Sequence, residues 1–381
     1  PGAAPRPAAD LVVSAYARDL AHPRWLYVLP NGDVLVAESS APARPANDDG
    51  LGGWLAAKAE RYVGAAGPGA ERITLLRGRK IDGSAAQRAV FAEHLHSPIG
   101  MALIGEDFYV ADTDAVHRFH YRSGALRVAD GAKVADLPAG ARNHHWTKNL
   151  LASADGRRLM IAIGSNSNVA EHGMAAEFER ACIWELDLGS GRHRVYAAGL
   201  RNPVGMAWQP QTGELWTVVN ERDELGSDVP PDYLTAVRDG GFYGWPYSYF
   251  GAHVDARVQP PRPDLVAAAR VPDYALGAHT ASIGLAFAQG TALPARLRDG
   301  AFIGQHGSWN RRPLSGYRVL FVPFAAGHPA GMPVTVLDGF LDAGERAMGR
   351  PAGVALDAEG ALLVADDVGG VLWRVTARPA P

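Results

Sequence analysis

The chain has 381 residues, 47% hydrophobic and 20% charged, with a formal net charge of −3. That balance supplies a core and excludes global disorder. It also carries no Lys/Arg run or basic helix of the kind a nucleic-acid binder needs, and Gly, Pro or charge interrupts every apolar run short of the roughly 18 residues of a membrane helix.

The first ten residues, "PGAAPRPAAD", are rich in Pro and Ala and lack an initiator Met. This suits a flexible segment at the mature end left by a signal peptide, so a periplasmic or secreted location is expected. The single cysteine, Cys182, lies in "RACIWELDL", where a small buried hydrophobe in a strand is the expected role.

From Pro23 onward one phrase recurs: an apolar run, a turn and a second run. It reads "PRWLYVLPNGDVLVAES", "PIGMALIGEDFYVADT", "NLLASADGRRLMIAIGS", "PVGMAWQPQTGELWTVVNE", "IGLAFAQG" with "AFIGQHG", and "AGVALDAEGALLVADD". Asn-Gly, Asp-Gly, Thr-Gly and Glu-Gly between the runs are hairpin chemistry, because positive φ is cheap there. Spacings of roughly 50 to 80 residues leave room for two more strands per unit, the build of a propeller blade. Without any linker between units, residues 1–381 are expected to form one all-β domain, a six-bladed β-propeller, rather than a sandwich with a second domain.

Polar residues recur at one phase of these units: Arg24-Trp25, His96-Ser97, Arg201-Asn202, His279-Thr280 and Gly349-Arg350. Repeats related by rotation bring like positions to one axis, so these side chains are expected at a common mouth, where Arg, His and Asn suit an anionic ligand with several oxygens. In the third unit, "RNHHWTKNLLASADGRRLMIAIGSNSN" places His144 and His145 before one strand and Ser165-Asn166-Ser167-Asn168 after the next, so both clusters are expected to meet. A loop histidine at such a mouth is a candidate base.

Two later segments load the same end. "NERDELGSDVPPDYLTAVRDGGFYGWPYSYFG" carries Glu221, Asp223, Glu224 and Asp228, then Tyr243, Trp245, Tyr247 and Tyr249. The acids do not have EF-hand spacing, and the aromatics suit either stacking on a sugar ring or plugging a blade edge. "GQHGSWNRRPLSGY" adds His306, Trp309, Asn310, Arg311 and Arg312.

As an ordered set, "RNHHWTKNL", "GLRNP", "NERDELGSDVPPDY", "GGFYGWP" and "GQHGSWNR" resemble the soluble sugar dehydrogenases that use pyrroloquinoline quinone, and among them the sorbosone dehydrogenase-like branch, over about Pro23 to Val375. The resemblance implies His145 as general base, with His144 where relatives carry a supporting aspartate. It implies Arg201, Asn202, Arg350, Asn166 and, in place of a missing lysine, Arg311 around the quinone, with Arg201 also polarising it, and His96 joins them by its phase. It implies calcium on the backbone carbonyls of Arg222 and Asp223, although the family's Gly-Pro is absent there and Ala352 replaces a second arginine.

The expected chemistry is oxidation of an aldose or sugar aldehyde. His145 takes the hydroxyl proton, hydride passes to the quinone and an external acceptor takes the electrons. The rival expectations are a calcium-dependent lactonase, which needs acids around the axis, and a non-catalytic binding propeller.

Overall fold

Each apolar run that turns at glycine has one low-cost way to satisfy its backbone, which is to pair with the run that follows. The computed structural model describes residues 4–42 and 69–379, and all six phrases form antiparallel hairpins within them. Gly156 and Gly360 turn at φ 67 and 79, conformations that side chains with a Cβ rarely adopt.

Two further strands complete each blade. In the first, Pro23–Val28 and Val34–Glu38 continue into Arg72–Arg79 and Ala85–Ala92; in the third, Lys148–Ala152 and Arg158–Ile163 continue into Cys182–Asp187 and His193–Ala198. The last blade closes the ring by pairing Leu11–Ala17 from the start of the chain with Val371–Ala377 from its end. Of the segment expected to be flexible, residues 1–3 lie outside the described residues, whereas Arg6 and Pro7 pair with Asp338 and Leu337 as an extra edge strand of the fifth blade.

The innermost strands touch in one closed circle: 23–28, 100–104, 148–152, 202–208, 282–287, 351–356 and back to 23–28. The protein is therefore an all-β, six-bladed propeller, and among the described residues its only α-helix is the six-residue Pro263–Ala268. The core lies between blades. Trp216 of the fourth packs edge-on to Phe324 of the fifth at 5.1 Å, and each such buried apolar side chain stabilises by about 1.5–3 kcal/mol. Cys182 is buried in its strand as expected, its thiol pushed up to about 12 by burial.

Along the axis, Tyr27, Met101, Leu151, Met206, Leu285 and Val354, one from each blade, line a cavity of about 210 Å³ together with Asn149. Polar side chains lie at one end of the ring. There, every inner strand begins opposite the residue where the next strand ends, as in Pro23 opposite Glu38, Lys148 opposite Ile163 and Pro351 opposite Asp366.

Candidate active site

The polar clusters at the two ends of the third hairpin meet. Asn166 Oδ1 accepts the backbone N–H of His144 at 3.2 Å, and Ser165 lies against His145. His145 Nδ1 is 2.9 Å from both the Ser165 carbonyl and Ser165 Oγ. The carbonyl can only accept, and the hydroxyl gives its own hydrogen to the Ser167 carbonyl at 2.6 Å, so both oxygens present lone pairs to Nδ1. Nδ1 therefore carries the proton in the neutral ring, which puts the lone pair on Nε2.

His144 packs edge-on to His145, with ring centroids 4.6 Å apart. Beneath the loop, the fully buried Lys148 reaches the carbonyls of His145 and Trp146 at 3.3 and 3.4 Å. Burial, reinforced by Arg180, holds its amine well below the usual lysine range. Glu177, unnoticed in the sequence, receives the Asn166 N–H at 2.6 Å and the Ser167 hydroxyl, fixing the far end of the hairpin.

From the fourth blade, Asn202 reaches the same place. A Cβ on Gly164 would fall on Asn202 Oδ1 and His145 Cβ, so the missing side chain is what lets them approach. Arg201, buried beside Asn202, spends its guanidinium on protein acceptors: the carbonyls of Glu221 at 2.8 Å, Asn168 at 3.2 Å and Asn220 at 3.3 Å, and Asn168 Oδ1 at 3.0 Å. Trp245 also donates to the Asn168 carbonyl at 3.0 Å. Tyr243 and Trp245 are buried, so the edge-plugging role holds for them.

Of the carbonyl pair expected to bind calcium, that of Asp223 is otherwise engaged. The Asp223 carbonyl accepts from Arg222 Nη2 at 2.7 Å and Nε at 3.1 Å, and the same guanidinium makes a fully buried ion pair with Asp255. A divalent cation on that oxygen would sit against the positive charge of the Arg222 guanidinium. Among the described residues no group of three His, Cys, Asp or Glu is placed to hold a metal. The Asp223 carboxylate instead ties the fourth blade to the fifth, accepting from Asn310 at 2.6 Å and His279 at 3.1 Å. Burial opposes its charge, but these bonds and Arg201 keep its carboxyl below the usual value.

Across the axis lies a cluster that repeat phase alone does not reveal. The buried Asp367 accepts Arg24 Nη1–H at 2.5 Å and His306 Nε2–H at 2.7 Å, with His22 Nε2 at 3.7 Å. Burial, then Arg350, pushes the His306 imidazole well down, so it stays neutral beside the ionised Asp367. Arg350 donates to the carbonyls of His306, at 2.8 Å, and Gly307, at 2.5 Å, and stacks on Tyr317. His96 stands apart on the rim, 57% exposed and paired with Asp114, while the largely buried Arg311 reaches out to the exposed Asp228.

Sequence comparison matches the family described as TrAA12-like over residues 67–232 and 266–378, and the glucose/sorbosone dehydrogenase family over residues 186–308. The aldose sugar dehydrogenase YliI of Escherichia coli is 28% identical over 195 residues, covering 46% of this chain and 50% of that protein. The pyranose dehydrogenase PQQ domain of Coprinopsis cinerea, in its holo form, superposes with a TM-score of 0.76 at 19% identity, over 98% of this chain and 97% of that one. The calcium structure of the carbohydrate-active enzyme family AA12 protein of Trichoderma reesei gives 0.78 at 18%, over 99% and 98%.

Proposed function

The chain belongs to the TrAA12-like family, and from that premise we propose that it is a dehydrogenase that uses pyrroloquinoline quinone to oxidise an aldose or sugar aldehyde. The observation that carries the proposal is the His145 tautomer: a lone pair on Nε2, fixed by two acceptors at Nδ1, at the mouth where six strand ends converge.

The residues of the mouth fit a planar anion with several carboxylates. Arg24 offers Nε and Nη2 without a protein acceptor among the described residues, and Asn202 Oδ1 is buried there without a protein donor among them. Asn166 and His144 form the third-blade wall, and Arg201 and Arg350 brace the fourth and sixth blades through the carbonyls they hold. Calcium on the Asp223 carbonyl would face the Arg222 guanidinium already bound there, and no step is derived through a metal.

When bound, the quinone supplies the hydride acceptor. His145 takes the hydroxyl proton of the carbon being oxidised at Nε2, while Ser165 holds the imidazole in that tautomer. Asn202 and the Arg201-braced wall orient the ligand. An external acceptor then removes the electrons. No helix among the described residues is long and apolar enough to cross a membrane, and a periplasmic or secreted location is part of the proposal.

The test is dye reduction by the purified protein with quinone, across aldoses, sorbosone and simple alcohols. Reduction that requires both quinone and sugar is expected. Lactone hydrolysis without any redox change would replace the dehydrogenase with a hydrolase.

A further inference from the structure

Resting on the quinone assignment above, we propose that Arg24, on the first blade, is the residue that clamps a carboxylate of the anionic ligand. The resemblance assigns this task to Arg350 of the sixth blade and places Arg201 of the fourth against the quinone. Yet the forks of Arg201 and Arg350 lie on backbone carbonyls, Arg222 is consumed by Asp255 and the Asp223 carbonyl, and Arg311 gives Nη2 to Asp228 while its Nε is sealed from solvent.

Arg24 differs in which donors it spends. Nη1 is fixed by Asp367 at 2.5 Å and approaches His306 at 3.5 Å. Nε and Nη2 have no protein acceptor among the described residues and are not sealed from solvent, the side chain being 13% exposed. Those two donors form one edge of the guanidinium, whose spacing matches the two oxygens of a carboxylate.

The edge is also held still. Asp367 is itself fixed by His306, and the guanidinium lies over the ring of Trp146, 5.6 Å from its centroid. Trp146 follows His145, so a carboxylate on this edge sits beside the loop that carries the base. A clamp already ordered loses little entropy on binding.

Calorimetric titration of wild type, Arg24→Gln and Arg24→Lys with the quinone, and separately with redox-inactive trimellitate, tests the assignment without reference to turnover. Quinone affinity is expected to fall about thirtyfold in R24Q and about tenfold in R24K, because an ammonium keeps the charge but lacks the fork. Should R24Q not fold, R24K decides alone. Wild-type quinone affinity in the variants would overturn Arg24 and leave the quinone assignment standing. A wild type that binds trimellitate but no quinone, with trimellitate binding lost in the variants, would overturn the quinone and keep Arg24. Binding of neither molecule by wild type would overturn both.

Discussion

His145 donates its Nδ1–H to the backbone carbonyl of Ser165 at 2.9 Å, across the two ends of one hairpin. A carbonyl cannot change its protonation state, so the tautomer that leaves Nε2 basic is set by the fold of the third blade.

His145→Ala is therefore expected to lower kcat by about 10²- to 10⁴-fold with quinone affinity little changed. Ser165→Ala keeps the carbonyl acceptor and loses only the hydroxyl, so its kcat stays within about threefold of wild type. Steady-state kinetics alongside a quinone titration check both, and a Ser165→Ala loss as deep as that of His145→Ala would show that the hydroxyl, not the carbonyl, sets the ring.

Gly164→Ala places a methyl group on Asn202 Oδ1 and His145 Cβ, and both must shift. Turnover should fall at least tenfold, since displacements near 1 Å at a reacting centre are costly. The kinetics of this variant, beside a thermal melt showing that the propeller persists, test whether the close approach matters to function.

Glu221 is buried and its carboxyl is raised to about 8 by desolvation, with Arg201 opposing. The folded chain keeps this proton while the unfolded chain releases it near the ordinary glutamate value. This group's contribution to stability is thus full below the unfolded pKa and is lost as pH rises toward 8. Glu221→Gln has no such loss. Its stability relative to wild type should rise between pH 5 and pH 8, by an amount on the order of 3 kcal/mol at neutral pH, and melts at the two pH values measure it.

The Arg222–Asp255 pair is sealed from solvent, with each side chain 1% exposed. Arg222→Met leaves the buried carboxylate only the more distant Arg257, at 3.5 Å, and should cost about 3 kcal/mol. Adding Asp255→Asn removes the stranded charge and should recover much of that loss in denaturant unfolding.

The six hairpins were legible because each blade writes its own turn: Asn31-Gly32, Asp155-Gly156, Thr212-Gly213 and Glu359-Gly360 mark them with local chemistry. The meeting of His144 and His145 with Ser165 and Asn166 was legible for the same reason, since one hairpin joins them. Contacts that depend on ring closure were not. Arg24 and Asp367 are 343 positions apart, and nothing local in either segment states that the first and last blades adjoin. The hold of the Arg222 guanidinium on the Asp223 carbonyl was hidden because its other partner, Asp255, lies in an irregular connection with no repeat to align it. The roles of Arg201 and Arg350 depend on which acceptors their forks reach, and sequence phase carries no information about that.

The most direct test of the central claim is stopped-flow absorbance of the quinone loaded on wild type and on His145→Ala, mixed with an aldose in a single turnover. Quinone bound by both proteins, and reduced by sugar rapidly in wild type but at least a hundredfold more slowly in the variant, is the expected result. Equal reduction rates in the two proteins would remove His145 from the chemistry, and a wild type that binds quinone but shows no sugar-dependent reduction would contradict the dehydrogenase assignment itself.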